Sequence, residues 1–242
     1  MNKIAITFLS SLLLAACSKE SSTSANTQKS QASALASAPL ANPPTAKTPE
    51  LKIDKGPWDG PFGLKMGLTD DQLKAAVPDI HAAAANIFST SSPPKPHDSF
   101  ETYMLITSAS TGLCKITAVG KTIQTSQFGD ELRNAHKSLK AALTEKYGQP
   151  ISDHDFLKHG SMWNESKYWM MGLLKKDRIV ATFWERKTDK NPKGADLPND
   201  IDSIIVESSA EGTDAGHITL RYAFTNEDAC VDAIKKEKNK AL

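Results

Sequence analysis

What the chain has little of narrows it first. Its 242 residues carry three cysteines and a formal charge of only +1. The leader holds Lys3, and residues 17–55 hold five lysines against three acids, which leaves residues 56–242 close to −2. Nucleic-acid binding needs clustered positive charge, so this near-neutral balance argues against that partner. The enzyme signatures are missing too: there is no Gly-x-Ser-x-Gly elbow, no phosphate-binding loop and no His-Glu-x-x-His. The apolar run Ile4–Leu14, broken by Thr7, Ser10 and Ser11, is too short to cross a bilayer.

That run has another use. Asn2 and Lys3 precede it as a short n-region, and Leu14-Ala15-Ala16-Cys17 follows. The tetrapeptide resembles the lipobox of bacterial lipoproteins. The resemblance implies cleavage after residue 16, a diacylglycerol on the Cys17 thiol and acylation of the new amino group. Two or more acyl chains anchor a protein stably where one does not. Ser18 stands where the inner-membrane retention residue of enteric lipoproteins is Asp, which implies the outer membrane, lipid-anchored, on the periplasmic face. The inner membrane and the cell surface are the alternatives.

Residues 18–55 are Ser, Thr, Ala, Gln, Lys and Pro with almost no large apolar side chain before Leu51. Such a segment cannot bury enough surface to offset its ordering, so residues 17–55 are expected to be the acylated cysteine and a disordered tether. Its root-mean-square reach as a flexible coil is on the order of 35 Å. A single α+β domain is expected over residues 56–242. With Cys17 acylated, Cys114 and Cys230 remain as an even pair. In an oxidising compartment they read as a disulfide, with two separate buried thiols as the alternative. No histidine clusters with either, which disfavours a metal pair.

Thr69 and Gln72 form a capping box flanked by Leu68 and Leu73, so a helix is expected from there to Val77, where Pro78 stops it. The entry Phe62-Gly63-Leu64-Lys65-Met66-Gly67-Leu68-Thr69 resembles the helix start of small outer-membrane assembly lipoproteins and of proteins similar to β-lactamase inhibitor protein. Residues 99–107 and 113–123 read as strands, with Cys114, Ile116 and Ala118 alternating inward. Asp130 to Tyr147 is the strongest helix, with Leu132, Ala135, Leu139, Leu143 and Tyr147 on one side and Gly148 and Pro150 as stops. Residues 167–174 and 178–187 read as one hairpin, and 203–209 and 218–224 as another. A last helix starts at the N-cap Asn226. The expected fold is α+β: an antiparallel sheet of about six strands with helices on one face, in the order α-β-β-α-β-β-β-β-α.

Phe62-Gly63 and Phe128-Gly129 are 66 apart, as are Leu73-Lys74-Ala75-Ala76-Val77 and Leu139-Lys140-Ala141-Ala142-Leu143. The spacing fits a duplicated α-β-β unit, the tandem arrangement of the inhibitor-like family, and also chance recurrence in Lys/Ala/Leu-rich helices.

Helices on one face leave the other free. Tyr168, Trp169, Met170 and Met171 are consecutive, and Trp184 shares a side with Thr182 and Arg186. Trp163, Tyr168, Trp169, Trp184 and Arg186 are therefore the candidate partner-binding residues, since aromatics, Met and Arg are enriched in interface cores. Completing the core is the competing role for these aromatics. The expected function is a lipid-anchored, periplasmic protein-binding module of immunity, inhibitor or assembly-accessory type, with no catalytic residues and no cofactor. A metal-dependent envelope hydrolase acting through Asp153, His154 and His159 is one alternative, although these lie, with Asp155, in an expected loop. A purely structural envelope lipoprotein is the other.

Overall fold

The computed structural model describes residues 54–240, so Cys17 and most of the expected tether lie outside the described residues. Among the described residues, nine strands form one antiparallel sheet and four helices pack on it, an α+β fold. The order is α1 (Asp70–Ala76), β1 (His81–Ala84), β2 (Ile87–Thr90), β3 (Phe100–Ser108), β4 (Gly112–Gly120), β5 (Ile123–Gln124) and α2 (Asp130–Tyr147). Then come β6 (Ser152–Leu157), α3 (Trp169–Leu174), β7 (Arg178–Glu185), β8 (Ile201–Ala210), β9 (Ala215–Phe224) and α4 (Glu227–Asn239).

Across the sheet the strands run β1-β2-β3-β4-β9-β8-β7-β6, and the short β5 pairs with β9. The arrangement is two four-stranded meanders, each preceded by a helix, joined where β4 meets β9. The sheet is not closed: β1 and β6 are its edges.

Local chemistry sets the helix ends. In α1 the Thr69 hydroxyl accepts from the Gln72 N–H and Gln72 Oε1 accepts from the Thr69 N–H, the expected capping box. Leu68 and Leu73 are buried on either side of it. Helix α2 buries Leu132, His136, Leu143 and Tyr147 and ends at Gly148, whose φ of 84° suits glycine. The Trp184 indole N–H on β7 donates to the Gly148 carbonyl at 2.8 Å, so that end of α2 is fastened to the sheet.

The covered face of the sheet is the core. One cross-strand row on it reads Phe88, Leu105, Ile116, Tyr222, Ile204 and Trp184, all buried. Phe62 closes this face over β3, β4 and β9, with its ring 4.8 Å from Tyr103 and 5.8 Å from Phe100 and Tyr222.

The Cys114–Cys230 disulfide is present and ties β4 to α4. Its geometry corrects two expectations, the inward direction of Cys114 and the placement of all helices on one face. Ile106 pairs with Lys115 but Thr107 pairs with Leu113, so Cys114 is the extra residue of a bulge. The bulge turns Cys114 to the side of Lys115, and both meet α4: Cys114 through the disulfide, Lys115 through an ion pair with Glu227. Helix α4 therefore lies across the β3–β4 end of the face opposite α2. Asn226 was expected to cap α4 through its side chain but does not. Instead its Nδ2 donates to the carbonyls of Thr111 and Leu113 and ties the helix start to the β3–β4 turn.

Other differences concern short elements. Residues 167–174, expected as a strand, form a 3₁₀ turn at Ser166–Tyr168 that runs into α3. Trp169, Met170, Gly172 and Leu173 are its buried positions, a one-, three-, four-step helical pattern that an apolar run of this length does not distinguish from a strand. The expected loop at 153–159 is mostly strand β6, and β1 and β2 were not expected at all.

Candidate functional site

The face opposite the core is the candidate site. A second row, set by the same registers, reads His81, Ser89, Met104, Thr117, Arg221, Ile205, Phe183 and Ser152. Eight strands at about 4.8 Å spacing make it roughly 34 Å wide. Met104, Arg221, Ile205 and Phe183 are half-buried, as are Ile106, Val119 and Ile179 on the same face. Helix α4 packs on β3 and β4 from this side, beside Ile106, the partner of Lys115, whereas Phe183, Ile179 and Ile205 lie on β7 and β8. At the β6 edge Phe156 is 45% exposed, and the His154 ring stands 5.9 Å from Phe156 and 5.7 Å from Phe183 in edge-on contacts. The Arg221 guanidinium pairs with Glu207 at 2.6 Å.

The residues expected to form a binding surface do not meet on this face. Trp184 is fully buried on the covered side, and its indole N–H is already satisfied by Gly148. Trp169 is 4% exposed and sits under α2, its ring so close to Gly129 that a Cβ there would meet it at 2.2 Å. An exposed Trp169–Trp184 surface is thus ruled out by packing. Trp163 and Tyr168 are half-buried and form an edge-on pair at 5.6 Å beside α3, next to Met162, which is 73% exposed. Arg186 follows β7 and is half-buried, with Nε and Nη2 lacking hydrogen-bond partners among the described residues. Period-two alternation had sorted Trp184 from Phe183 but assigned them to the wrong faces. Phe183, Ile205 and Met104 were the residues to choose, and the signal for them is their alternation with fully apolar neighbours.

The acidic and histidine residues at 153–159 are split by strand geometry. Asp153 and Asp155 point to one side of β6, where Asp153 binds Lys140 and Thr182 and Asp155 binds Arg178 at 2.5 Å. His154 points to the other side, and His159 lies in the turn beyond. Among the described residues no three His, Cys, Asp or Glu side chains converge as metal ligands do.

One histidine that sequence reasoning left without a role is a structural centre. His136 on α2 is buried between Ser208 Oγ, 2.8 Å from Nδ1, and Thr182 Oγ1, 3.0 Å from Nε2. Thr182 donates its only hydroxyl proton to Asp153 at 2.6 Å, so it accepts from His136 Nε2–H. Nδ1 is then the acceptor for Ser208. Burial holds the His136 pKa below the ordinary value, against the opposing pull of the Asp153 charge, and it is in that favoured neutral form that Nδ1 accepts from Ser208. Burial raises the Asp153 carboxyl, but the Lys140 and Thr182 bonds outweigh it and leave its pKa lowered. Ser208 and Thr182 are themselves buried, so the network offers no exposed nucleophile and holds α2 to the sheet. Searches against family models, curated proteins and solved structures return no match for this chain.

Proposed function

We propose that this protein is a lipid-anchored envelope protein whose folded part binds a partner protein through the open sheet face. The observation that carries the reading is the half-exposed row Met104, Ile205 and Phe183, extended by Ile106, Val119 and Phe156. Apolar side chains on a sheet face whose other side is core, here in two groups on either side of Thr117 and the Arg221–Glu207 pair, are a mark of an interaction surface. Its central arginine is already paired with Glu207, so the partner it fits is an apolar protein surface rather than a polyanion. Acylation at Cys17 and a tether over residues 18–55 would hold this face within tens of ångströms of the membrane.

The same reading includes an internal duplication. It is supported by the repeated helix-then-meander order and by the mirrored strand sequence β1-β2-β3-β4 and β9-β8-β7-β6. The repeating unit is then a helix with four strands, larger than the α-β-β unit expected from sequence. Phe-Gly pairs at 62 and 128 open both halves, as the resemblance to inhibitor-like proteins implies.

The test is site-specific photocrosslinking in native membranes. A photoreactive residue at Ile205 or Phe183 is expected to capture one protein that the same group at Lys137 on α2 does not, and Phe183→Asp with Ile205→Asp should abolish capture while the domain remains folded by circular dichroism. Equal capture at both surfaces, or none at the sheet, refutes the reading. A crosslink between two copies of this chain would replace the partner by self-association.

A further inference from the structure

The two edges of the sheet are not alike. The β1 edge is four residues long and its pairing with β2 slips between Ala82 and Ala84. Short edge strands and broken registers protect a sheet against further pairing. Strand β6 has neither: it pairs with β7 in unbroken register from Ser152 to Leu157, and its four central residues are exposed. The Lys158 N–H donates to the Asp177 carbonyl, and antiparallel strands alternate bonded and unbonded residues, so the even-numbered residues of β6 bond to β7. The N–H and C=O groups of Asp153, Asp155 and Leu157 therefore point outward from the sheet.

The helices are set back from this edge: α2 packs on β8 and β9, and α3 on β7 and β8. The turn beyond β6 folds back toward β7, where the Ser161 hydroxyl donates to Asp177. Inward-pointing charge is a further guard that edge strands use. Here it is offset, because Asp153 is paired with Lys140 and Asp155 with Arg178. On the open side the edge carries Phe156, 45% exposed, with the His154 ring against it.

We infer that β6 pairs antiparallel with β6 of a second copy of this chain, about a two-fold axis at Phe156. The outward groups meet only when odd-numbered residues align with odd. Centring the pair on His154 sets Asp153 opposite Asp155, and centring it on Asp155 sets two Asp155 carboxylates face to face. Like charges directly opposite are destabilising. Centring on Phe156 sets Asp155 opposite Leu157 and His154 opposite Lys158, and brings the two exposed Phe156 rings side by side. Residues 155 and 157 then exchange N–H···O=C bonds with 157 and 155 of the second copy. One strand pair buries less than a stable dimer needs, so the expected dissociation constant is on the order of 10–100 µM. The pairing runs through the backbone edge and does not rest on the open-face reading.

The experiment is cysteine crosslinking of the purified full chain, with the parent, whose Cys114 and Cys230 are already bridged, as background. Copies carrying His154→Cys mixed with copies carrying Lys158→Cys are expected to form a disulfide-linked dimer on mild oxidation. Either variant alone should not, because each cysteine then lies about 14 Å from its own counterpart, four residues along the strand. Sedimentation equilibrium of the parent should show the same dimer, and Phe156→Lys should raise its dissociation constant by about tenfold or more with the circular dichroism spectrum unchanged. A parent that stays monomeric at about 500 µM, a dimer insensitive to Phe156→Lys, or crosslinking of His154→Cys alone equal to that of the mixture overturns the inference. So does the mixture, oxidised in native membranes, if it links only to a different protein. None of these outcomes bears on capture at Ile205, so the open-face reading is decided by itself.

Discussion

Removing the Cys114–Cys230 bridge should destabilise the protein more than any surface change. The bridged residues are 116 apart in sequence, and in the chain-entropy account a loop of that size restricts the unfolded chain by about 4–5 kcal/mol. At an unfolding entropy of roughly 2 cal/mol/K per residue over the folded part, this is a fall in Tm of about 12 °C. Alanine is the appropriate replacement, because both positions are buried and a serine hydroxyl would add its own desolvation cost. The Cys114→Ala/Cys230→Ala protein should be compared with the parent by calorimetry and by urea unfolding. Reduction of the parent should reproduce the variant. Hydrogen exchange gives the location: the polar ties left to α4 are Lys115–Glu227 and the Asn226 bonds to the β3–β4 turn, so its amides should lose protection first. A double variant within about 2 °C of the parent would refute the argument that this covalent loop closure is a main source of stability.

Three further outcomes follow from the same structure. Burial holds His136 neutral, so the unfolded chain binds the extra proton as pH falls below 6.5; stability should decline from there toward the lower folded pKa, and urea midpoints from neutral to mildly acidic pH should lose that slope in His136→Asn. Burial raises the Asp79 carboxyl, but bonds from the Thr90 and Ser91 hydroxyls and the Ser91 N–H prevail and lower it from 3.8 to about 2; the stability it adds is complete above 3.8 and lost on acidification toward 2, and Asp79→Asn should flatten that acid limb of the unfolding curve. Trp184→Phe removes the bond to the Gly148 carbonyl and should cost about 1–2 kcal/mol in urea unfolding, whereas Phe183→Ala next to it should cost about 1 kcal/mol or less.

Much of this fold was legible because its longer elements carry local signals. The capping box at Thr69 and the apolar stripe ending at Tyr147 and Gly148 specify α1 and α2 before any packing is considered. The β3, β8 and β9 alternations were equally readable. The misplaced aromatic surface has a physical cause, which is that periodicity reports faces within an element and says nothing of what covers each face. Trp184 and Phe183 alternate as they must, yet only the arrival of α2 decides which side is core. Cys114 was misdirected by a bulge, where one inserted residue breaks the period locally. The Trp169 segment was too short for its period to separate helix from strand, and the four exposed residues of β1 have no apolar pattern at all.

The sheet itself explains why binding and stability should be separable here. Strands β2, β3, β4, β7, β8 and β9 send one set of side chains into a core closed by α1, α2, α3 and Phe62, and the alternate set to a face on which α4 packs against β3 and β4. Helix α4 is held there covalently, so the rest of that face need not be buried for the domain to hold together. A core row of Phe88, Leu105, Ile116, Tyr222, Ile204 and Trp184 can then bear the folding energy while the row one residue over, through Met104, Ile205 and Phe183, stays available to a second molecule. In a sheet with helices on both faces along its full width, every one of these positions would be a folding residue. The division between the two rows is what makes neighbouring residues on β7 answer to different measurements: Trp184 to denaturation, Phe183 to capture.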